Sequence, residues 1–276
     1  MTKRKQSRKS PPRKGGDYRR DQDNKARTTP AKGKSGGSYW IYGLHAVKAA
    51  LENPDRRCRQ LLMTANAAES MPSIPENSIP TEIVERQEID KYLPSDAVHQ
   101  GVALSVDPLE QIDLSDIARA AANKETATVV VLDQATDPRN IGAVLRSATA
   151  FGALGVIVQK RHAPDETSLL AKAASGALET VPLLRVTNLS RAMDELKESG
   201  FWCIGFDGQA DDSLAQAKLS GKLALVFGAE GKGLRQLTRE NCDRLVRVPI
   251  APQMESLNLS NTVAIGLYEV SRQKEG

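Results

Sequence analysis

The chain has 276 residues and a net charge of +4, with 40% hydrophobic but only 4% aromatic residues, so its core must rest on Ala, Leu, Val and Ile. That length exceeds one small core and suits two domains, and with no apolar run of membrane-span length a membrane partner is not expected. Three cysteines, Cys58, Cys203 and Cys242, lie far apart with no CxxC spacing, which argues against a disulfide framework or a metal site and for a reducing cytoplasm.

The charge is unevenly placed. Residues 1–37 hold 13 Lys or Arg against 3 Asp, a charge of +10, which leaves −6 on the remainder. The segment carries almost no Leu, Ile, Val or Phe, so nothing in it offsets the entropy cost of ordering, and it reads as a disordered basic arm. A basic arm on a mildly acidic body fits a polyanion, with nucleic acid the first candidate.

Order begins at Tyr39. The stretch YWIYGLHAVKAALEN predicts a short strand, a turn at Gly43 and a helix over 45–52. Strands follow at 59–64 and 81–85 around a Pro-rich stretch at 72–80, then a helix at 88–93 and a strand at 101–106. This is a small α/β unit over 38–107, followed by a connector at 108–124 with no strand signal. From 125 the pattern changes. Apolar strands at 126–133, 154–159, 181–186, 201–206, 222–228 and 245–250 alternate with helices at 140–152, 168–178, 189–200 and 234–241 and a last helix to the end. Such alternation predicts a parallel sheet covered on both faces, an α/β fold.

Three segments carry polar residues where a fold alone has little use for them. In DPRNIGAVLRSATAFG, Asn140 sits where a helix cap would and Gly142 allows close backbone approach. Arg146 stands among Ile141, Val144, Leu145, Ala148 and Phe151, and a buried arginine there needs a partner or an anion. In LVFGAEGKGL, Gly228, Gly231 and Gly233 surround Glu230 after a buried strand. The spacing is neither GxxxxGK[ST] nor GxGxxG, yet glycines there expose backbone at the carboxyl edge of a parallel sheet, where ligands bind. In PIAPQMESLNLSN, Ser256, Asn258 and Ser260 alternate with Leu257 and Leu259, which points polar groups one way and leucines the other.

Together these segments resemble the SpoU-type 2′-O-ribose RNA methyltransferases, a branch of the knotted SPOUT superfamily. The motif N-x-G-x-x-x-R falls on Asn140, Gly142 and Arg146. F-G-x-E-x-x-G falls on Phe227, Gly228, Glu230 and Gly233. P-I-x-P-x-M-x-S-L-N-x-S runs from Pro249 to Ser260. Upstream, YGLHAV (42–47) and HQG (99–101) resemble the ribosomal-protein-like RNA-binding domain of the subgroup that modifies a guanosine ribose in large-subunit ribosomal RNA. The resemblance implies a trefoil knot within 125–276, S-adenosylmethionine as cofactor, a homodimer that completes the site, and RNA rather than DNA as partner. It places Arg146, Asn140, Glu230, Ser256 and Asn258 at the reaction. It places Gly228, Ile250 and Leu259 as backbone contacts to the cofactor, with Met254 and Leu257 as apolar walls. A transfer-RNA enzyme of the same fold and a non-catalytic ribosome-assembly factor are the competing readings. The small unit speaks against the first and the joint presence of the polar residues against the second. None of His45, His99 and His162 is placed as a base.

Deleting residues 1–37 is expected to weaken RNA affinity and to flatten its salt dependence without unfolding the protein, as read by filter binding across a salt series. An unchanged salt slope would show the arm to be a bystander.

Overall fold

The computed structural model describes residues 1–2, 37–71 and 79–275. The basic arm, apart from its ends, and residues 72–78 of the Pro-rich stretch lie outside the described residues. The first unit runs β1 (Tyr39–Tyr42), α1 (Leu44–Glu52), β2 (Cys58–Met63), α2 (Ala65–Ala68), β3 (Thr81–Ile83), α3 (Arg86–Asp90) and β4 (Val102–Val106). Its sheet has the order β1-β4-β2-β3, with β4 antiparallel to both neighbours and β3 parallel to β2. Ile41, Leu61, Leu104 and Val106 line one apolar face.

The connector at 108–124 contains a helix, α4 (Leu114–Ala121). Asp113 caps it, accepting from the backbone N–H groups of Ser115 and Asp116, and Asp116 reaches back to the Asp113 N–H. Ile117 and Ala121 are buried against Val129, Val131 and Leu184, so the connector is one layer of the larger unit.

That unit continues β5 (Ala127–Leu132), α5 (Pro138–Ala150), β6 (Val156–Gln159), α6 (Ser168–Ala174), β7 (Leu183–Val186), α7 (Leu189–Glu198), β8 (Trp202–Phe206), β9 (Lys222–Phe227), α8 (Gln236–Glu240), β10 (Arg244–Val246) and α9 (Leu259–Glu275). The six strands lie in the order β10-β8-β9-β5-β6-β7 and every pair is parallel. Burial on both faces explains the unbroken apolar run of β5. Val130 and Leu132 join the core shared with α5, α6 and α9, while Val129 and Val131 join the core under α4 and α7. No described helix is long and apolar enough to cross a membrane.

Two elements end four residues earlier than the sequence predicts. The helix expected to 178 stops at Ala174, because Ser175 and Gly176 take left-handed backbone (φ 50° and 95°) before a 3₁₀ turn at Ala177–Glu179. The strand expected over 245–250 stops at Val246. The Arg247 N–H donates to the Asp212 carbonyl (2.8 Å) and Pro249 has no N–H, so the chain leaves the sheet and opens a long loop toward α9.

One buried ionic cluster joins the two units. The Arg56 side chain is fully buried. It donates twice to Glu179, from Nε (3.0 Å) and Nη2 (2.7 Å), and from Nη1 to Glu166 (2.7 Å) and to the Asp107 carbonyl (2.9 Å). Tyr39 Oη donates to Glu166 (2.5 Å) and Asn53 Nδ2 to Glu179 (2.8 Å). Burial alone would push the Arg56 pKa down, but the hydrogen bonds to Glu179 and the surrounding negative charge outweigh it and push it up. Burial, then the Glu166 charge, raises the Tyr39 pKa. The apolar core is continuous across the same junction, running from Ile41, Val47 and Leu61 to Ile141, Leu170 and Leu178.

His99, in the small unit, is fully buried. Its Nδ1 accepts from the Gly101 N–H (3.2 Å), and its Nε2 lies 3.2 Å from Asp90 Oδ1 without the alignment of a hydrogen bond. Burial pushes its pKa down, against the pull of Asp90. Its place is structural.

Arg56→Leu removes the one cation that, among the described residues, touches both carboxylates, and it leaves Glu166 and Glu179 buried together. The expected cost is about 3–5 kcal/mol of folding stability. Denaturant unfolding of the full chain checks it, and a loss below about 1 kcal/mol, the range of an exposed ion pair, would show that the cluster does not bind the units together.

Candidate active site

The three polar segments meet at the carboxyl edge of the larger sheet. Helix α5 is capped by Asp137, whose Oδ1 accepts from the Arg139 N–H (2.9 Å), with Pro138 in the first turn. Asn140 is therefore the third helical residue and not the cap. Its side chain is left free for other work. Gly142 faces α6, and a Cβ there would lie 2.5 Å from Ala173 Cβ and 2.8 Å from backbone. The glycine lets α5 and α6 pack in close contact.

After β9 the chain makes a tight turn. Ala229 and Gly233 exchange backbone hydrogen bonds (3.1 and 2.9 Å), and Gly231 and Gly233 take positive φ (73° and 65°). A Cβ on Gly228 would fall 2.0–2.3 Å from the Gly233 carbonyl and the Leu234 nitrogen, so no side chain fits there. The turn presents Glu230. One oxygen of its carboxylate, Oε1, accepts from Asn140 Nδ2 (3.0 Å), Asn258 Nδ2 (2.7 Å) and the Leu259 backbone N–H (3.1 Å). Asn258 also donates to Asn140 Oδ1 (3.1 Å), which closes the triangle. The Leu259 N–H is the first of α9, so the carboxylate sits at the positive end of a helix.

Asn258 Oδ1 accepts from the backbone and hydroxyl of Ser260 (2.9 and 2.6 Å). The polar alternation thus divides into a helix cap, Asn258 with Ser260, and a cavity residue, Ser256. The alternation itself holds: Ser256 and Asn258 are exposed, Leu259 is buried and Leu257 half-buried.

Arg146 corrects the sequence argument. It is exposed and makes no side-chain hydrogen bond or ion pair among the described residues. Six residues at 100° per residue set it about 240° around α5 from Asn140, away from the Glu230 triangle. Ile141, Val144, Leu145 and Ala148 form the buried face, and Arg146 falls outside it.

Beside the triangle lies a cavity of about 380 Å³, within the range of small-molecule sites. Its walls come from three strand ends: Phe206 to Gln209 after β8, Phe227 to Leu234 after β9, and Val248, Ile250 and Glu255 to Leu257 on the loop to α9, closed by Leu259 and Thr262. Phe206 and Phe227 stack in its floor with centroids 4.2 Å apart, and α9 approaches them through Gly266, where a Cβ would meet Phe206 at 2.7 Å. Gly228, Glu230, Ile250, Ser256, Leu257 and Leu259 line the cavity. Met254 does not. It belongs to a turn closed by its own N–H on the Ala251 carbonyl (3.0 Å), which leaves the side chain 58% exposed.

Sequence reasoning missed two parts. One is the wall after β8, where Asp207 pairs with Arg239 (2.9 Å) beside Gly208 and Gln209. An Asp-Gly pair after a buried strand was the available signal. The other is Asp133, fully buried at the end of β5. It accepts from the Arg235 backbone N–H (3.1 Å) and Nε (2.8 Å), and Arg235 Nη2 reaches Gln159 (3.0 Å), so the exit of the glycine turn is tied to the ends of β5 and β6. These partners are far apart in sequence and no local pattern links them.

Both units of the chain resemble known proteins. Residues 127–268 match the model of the SpoU rRNA Methylase family, and residues 40–112 match the model for RNA 2'-O ribose methyltransferase substrate binding. The chain is 41% identical over 242 residues to the 23S rRNA (guanosine-2'-O-)-methyltransferase RlmB of Haemophilus influenzae, covering 86% of this chain and 98% of the relative. It is 40% identical over 242 residues to the enzyme of that name from Escherichia coli, covering 86% and 99%. Among solved structures it is similar to the SpoU methyltransferase AviRb from Streptomyces viridochromogenes in complex with the cofactor AdoMet, with a TM-score of 0.73, 25% identity and coverage of 87% and 91%. With both models matched in order and the motif residues gathered around one carboxylate, the chain belongs to the SpoU rRNA methylase family.

Proposed function

We propose that this protein methylates the ribose 2′-hydroxyl of a guanosine in 23S ribosomal RNA, with S-adenosylmethionine as methyl donor. The observation that carries the reading is the Glu230 carboxylate, held by Asn140, Asn258 and the first amide of α9 at the rim of a cofactor-sized cavity. The substrate is that of the relatives, which are 23S rRNA (guanosine-2'-O-)-methyltransferases.

The residues fit the cofactor. Bare backbone at Gly228 gives close approach, Phe206, Ile250 and Leu257 offer apolar walls, and Ser256 adds a polar group. When bound, the cofactor supplies an electrophilic methyl group. The chain's own task is then to hold the 2′-hydroxyl in line and to favour loss of its proton. Glu230 and the two asparagines are already fixed by one another, so they orient the ribose with little reorganisation. An arginine is a poor base because its guanidinium stays protonated, so Arg146 serves to stabilise the developing alkoxide.

Within one chain Arg146 turns away from the Glu230 triangle, and we read the active form as a homodimer in which Arg146 of a second copy faces it. Support comes from α9, where Ile265 and Tyr268 are exposed apolar residues and Phe151, just after α5, packs edge-on to Tyr268 (6.3 Å). The placement of β8 between β10 and β9, with α9 returning across the β9 end, supports a trefoil knot in this unit.

Arg146→Ala is expected to abolish methyl transfer with nearly unchanged S-adenosylmethionine affinity. Loss of cofactor binding in that variant would sink the assignment. Mixing it with Asn258→Ala should restore part of the activity if sites are shared between copies. Gly228→Ala is expected to lose cofactor binding by calorimetry, since the new methyl group meets backbone that cannot move aside. The function itself is tested with labelled methyl donor and 23S rRNA lacking the modification. The expected product is 2′-O-methylguanosine, and transfer to a base or only to transfer RNA would overturn the reading.

A further inference from the structure

The loop from β6 to α6, residues 160–167, is held at both ends. At its start Gln159 accepts from Arg235, which Asp133 fixes at the exit of the glycine turn. Near its end Glu166 accepts from Arg56 and Tyr39 of the small unit, and Arg185 donates to the Pro164 carbonyl (2.9 Å). The loop therefore spans the distance between the small unit and the carboxyl edge where the site lies.

Between these anchors stand Lys160 and Arg161. Both are exposed, and neither makes a side-chain hydrogen bond or ion pair among the described residues. Asp165 is the one acid of the loop left outside the Arg56 cluster. One strand over, in the order β9-β5-β6, Arg139 opens α5 and is likewise exposed without a side-chain partner among the described residues. Several other surface arginines are matched: Arg57 and Arg59 share Asp107, Arg119 pairs with Asp116, and Arg244 with Asp212, whereas Arg86 and Arg146 are exposed without a side-chain partner among the described residues. Lys160 and Arg161 follow β6 and Arg139 stands in the segment after β5, so all three lie at the carboxyl edge of the sheet, the edge that also carries Glu230 after β9.

We propose that Lys160 and Arg161, continued by Arg139, form a phosphate-binding bridge that carries a single RNA strand from the small unit to the active site. The inference rests on the reading that RNA is the substrate. Such interactions fix register and position and carry no base information, a role suited to exposed cations between a binding unit and a reaction centre.

The test uses the full chain with both Lys160→Gln and Arg161→Gln, and a control with Lys124→Gln and Lys218→Gln. The control removes the same charge from the opposite, amino edge of the sheet. For the bridge variant, RNA affinity is expected to fall about tenfold at roughly 0.1 M salt and the salt slope to drop by about 2, one for each phosphate that is no longer neutralised. S-adenosylmethionine affinity should stay at the parent value, and the control should bind RNA as the parent does. Unchanged affinity and slope, or an equal loss in the control, would overturn the bridge. If the bridge variant shows the expected loss of affinity and slope while the parent transfers no methyl group, the bridge stands and the enzymatic reading falls. A parent that binds no RNA overturns both.

Discussion

One carboxylate oxygen sets the geometry of this protein's site. Glu230 Oε1 takes three hydrogen bonds from three separate places: the first turn of α5, the residue before α9, and the first amide of α9 itself. An ionised acceptor forms stronger bonds than a neutral one, and a helix amino end adds favourable charge. The result is a junction that orders two asparagines through hydrogen bonds alone. The sheet makes this possible. Because all six strands are parallel, the segments after β5, β8, β9 and β10 all leave from one edge, so residues more than a hundred positions apart are delivered to one place.

Where backbone demands a particular residue, the sequence is legible. The glycines after β9 signal a turn that admits no side chain, and the structure shows a Cβ at Gly228 colliding with main chain. The alternation of Ser256, Leu257 and Asn258 before α9 is equally readable, because exposure in an extended stretch has a period of two. Arg146 shows how a reading can go astray. Its neighbours are apolar, but a helix has faces, and the buried one runs through Ile141, Val144, Leu145 and Ala148. Adjacency in sequence placed the arginine inside; stepping by 100° places it outside. The helix in the connector was marked by Asp113 and Asp116, a capping pair that its short length concealed.

What the sequence does not disclose is pairing across distance. Asp133 and Arg235 are ordinary charged residues until the fold sets them together. The same holds for Arg56, Glu166 and Glu179, which belong to different units. Their meeting depends on α6 and the 3₁₀ turn at Ala177–Glu179 packing on the small unit, and that packing is a property of the finished core. Local propensity carries the elements, and buried charge reports how they are assembled.

The Arg56 cluster also bears on how this chain can be divided. By sequence the two family segments, 40–112 and 127–268, look like modules with a connector between them. By energy they are not. A fragment beginning in the connector would keep Glu166 and Glu179 but lose the cation that lies between them, together with the small unit's share of a common apolar core. Such a fragment should be a poor folder whatever its motifs promise. In this chain the arginine comes from the small unit and both carboxylates from the larger one, so replacing the small unit by one without a matching cation would leave two buried acids unpaired, and the junction acts as a compatibility code between the small unit and the unit that carries the site.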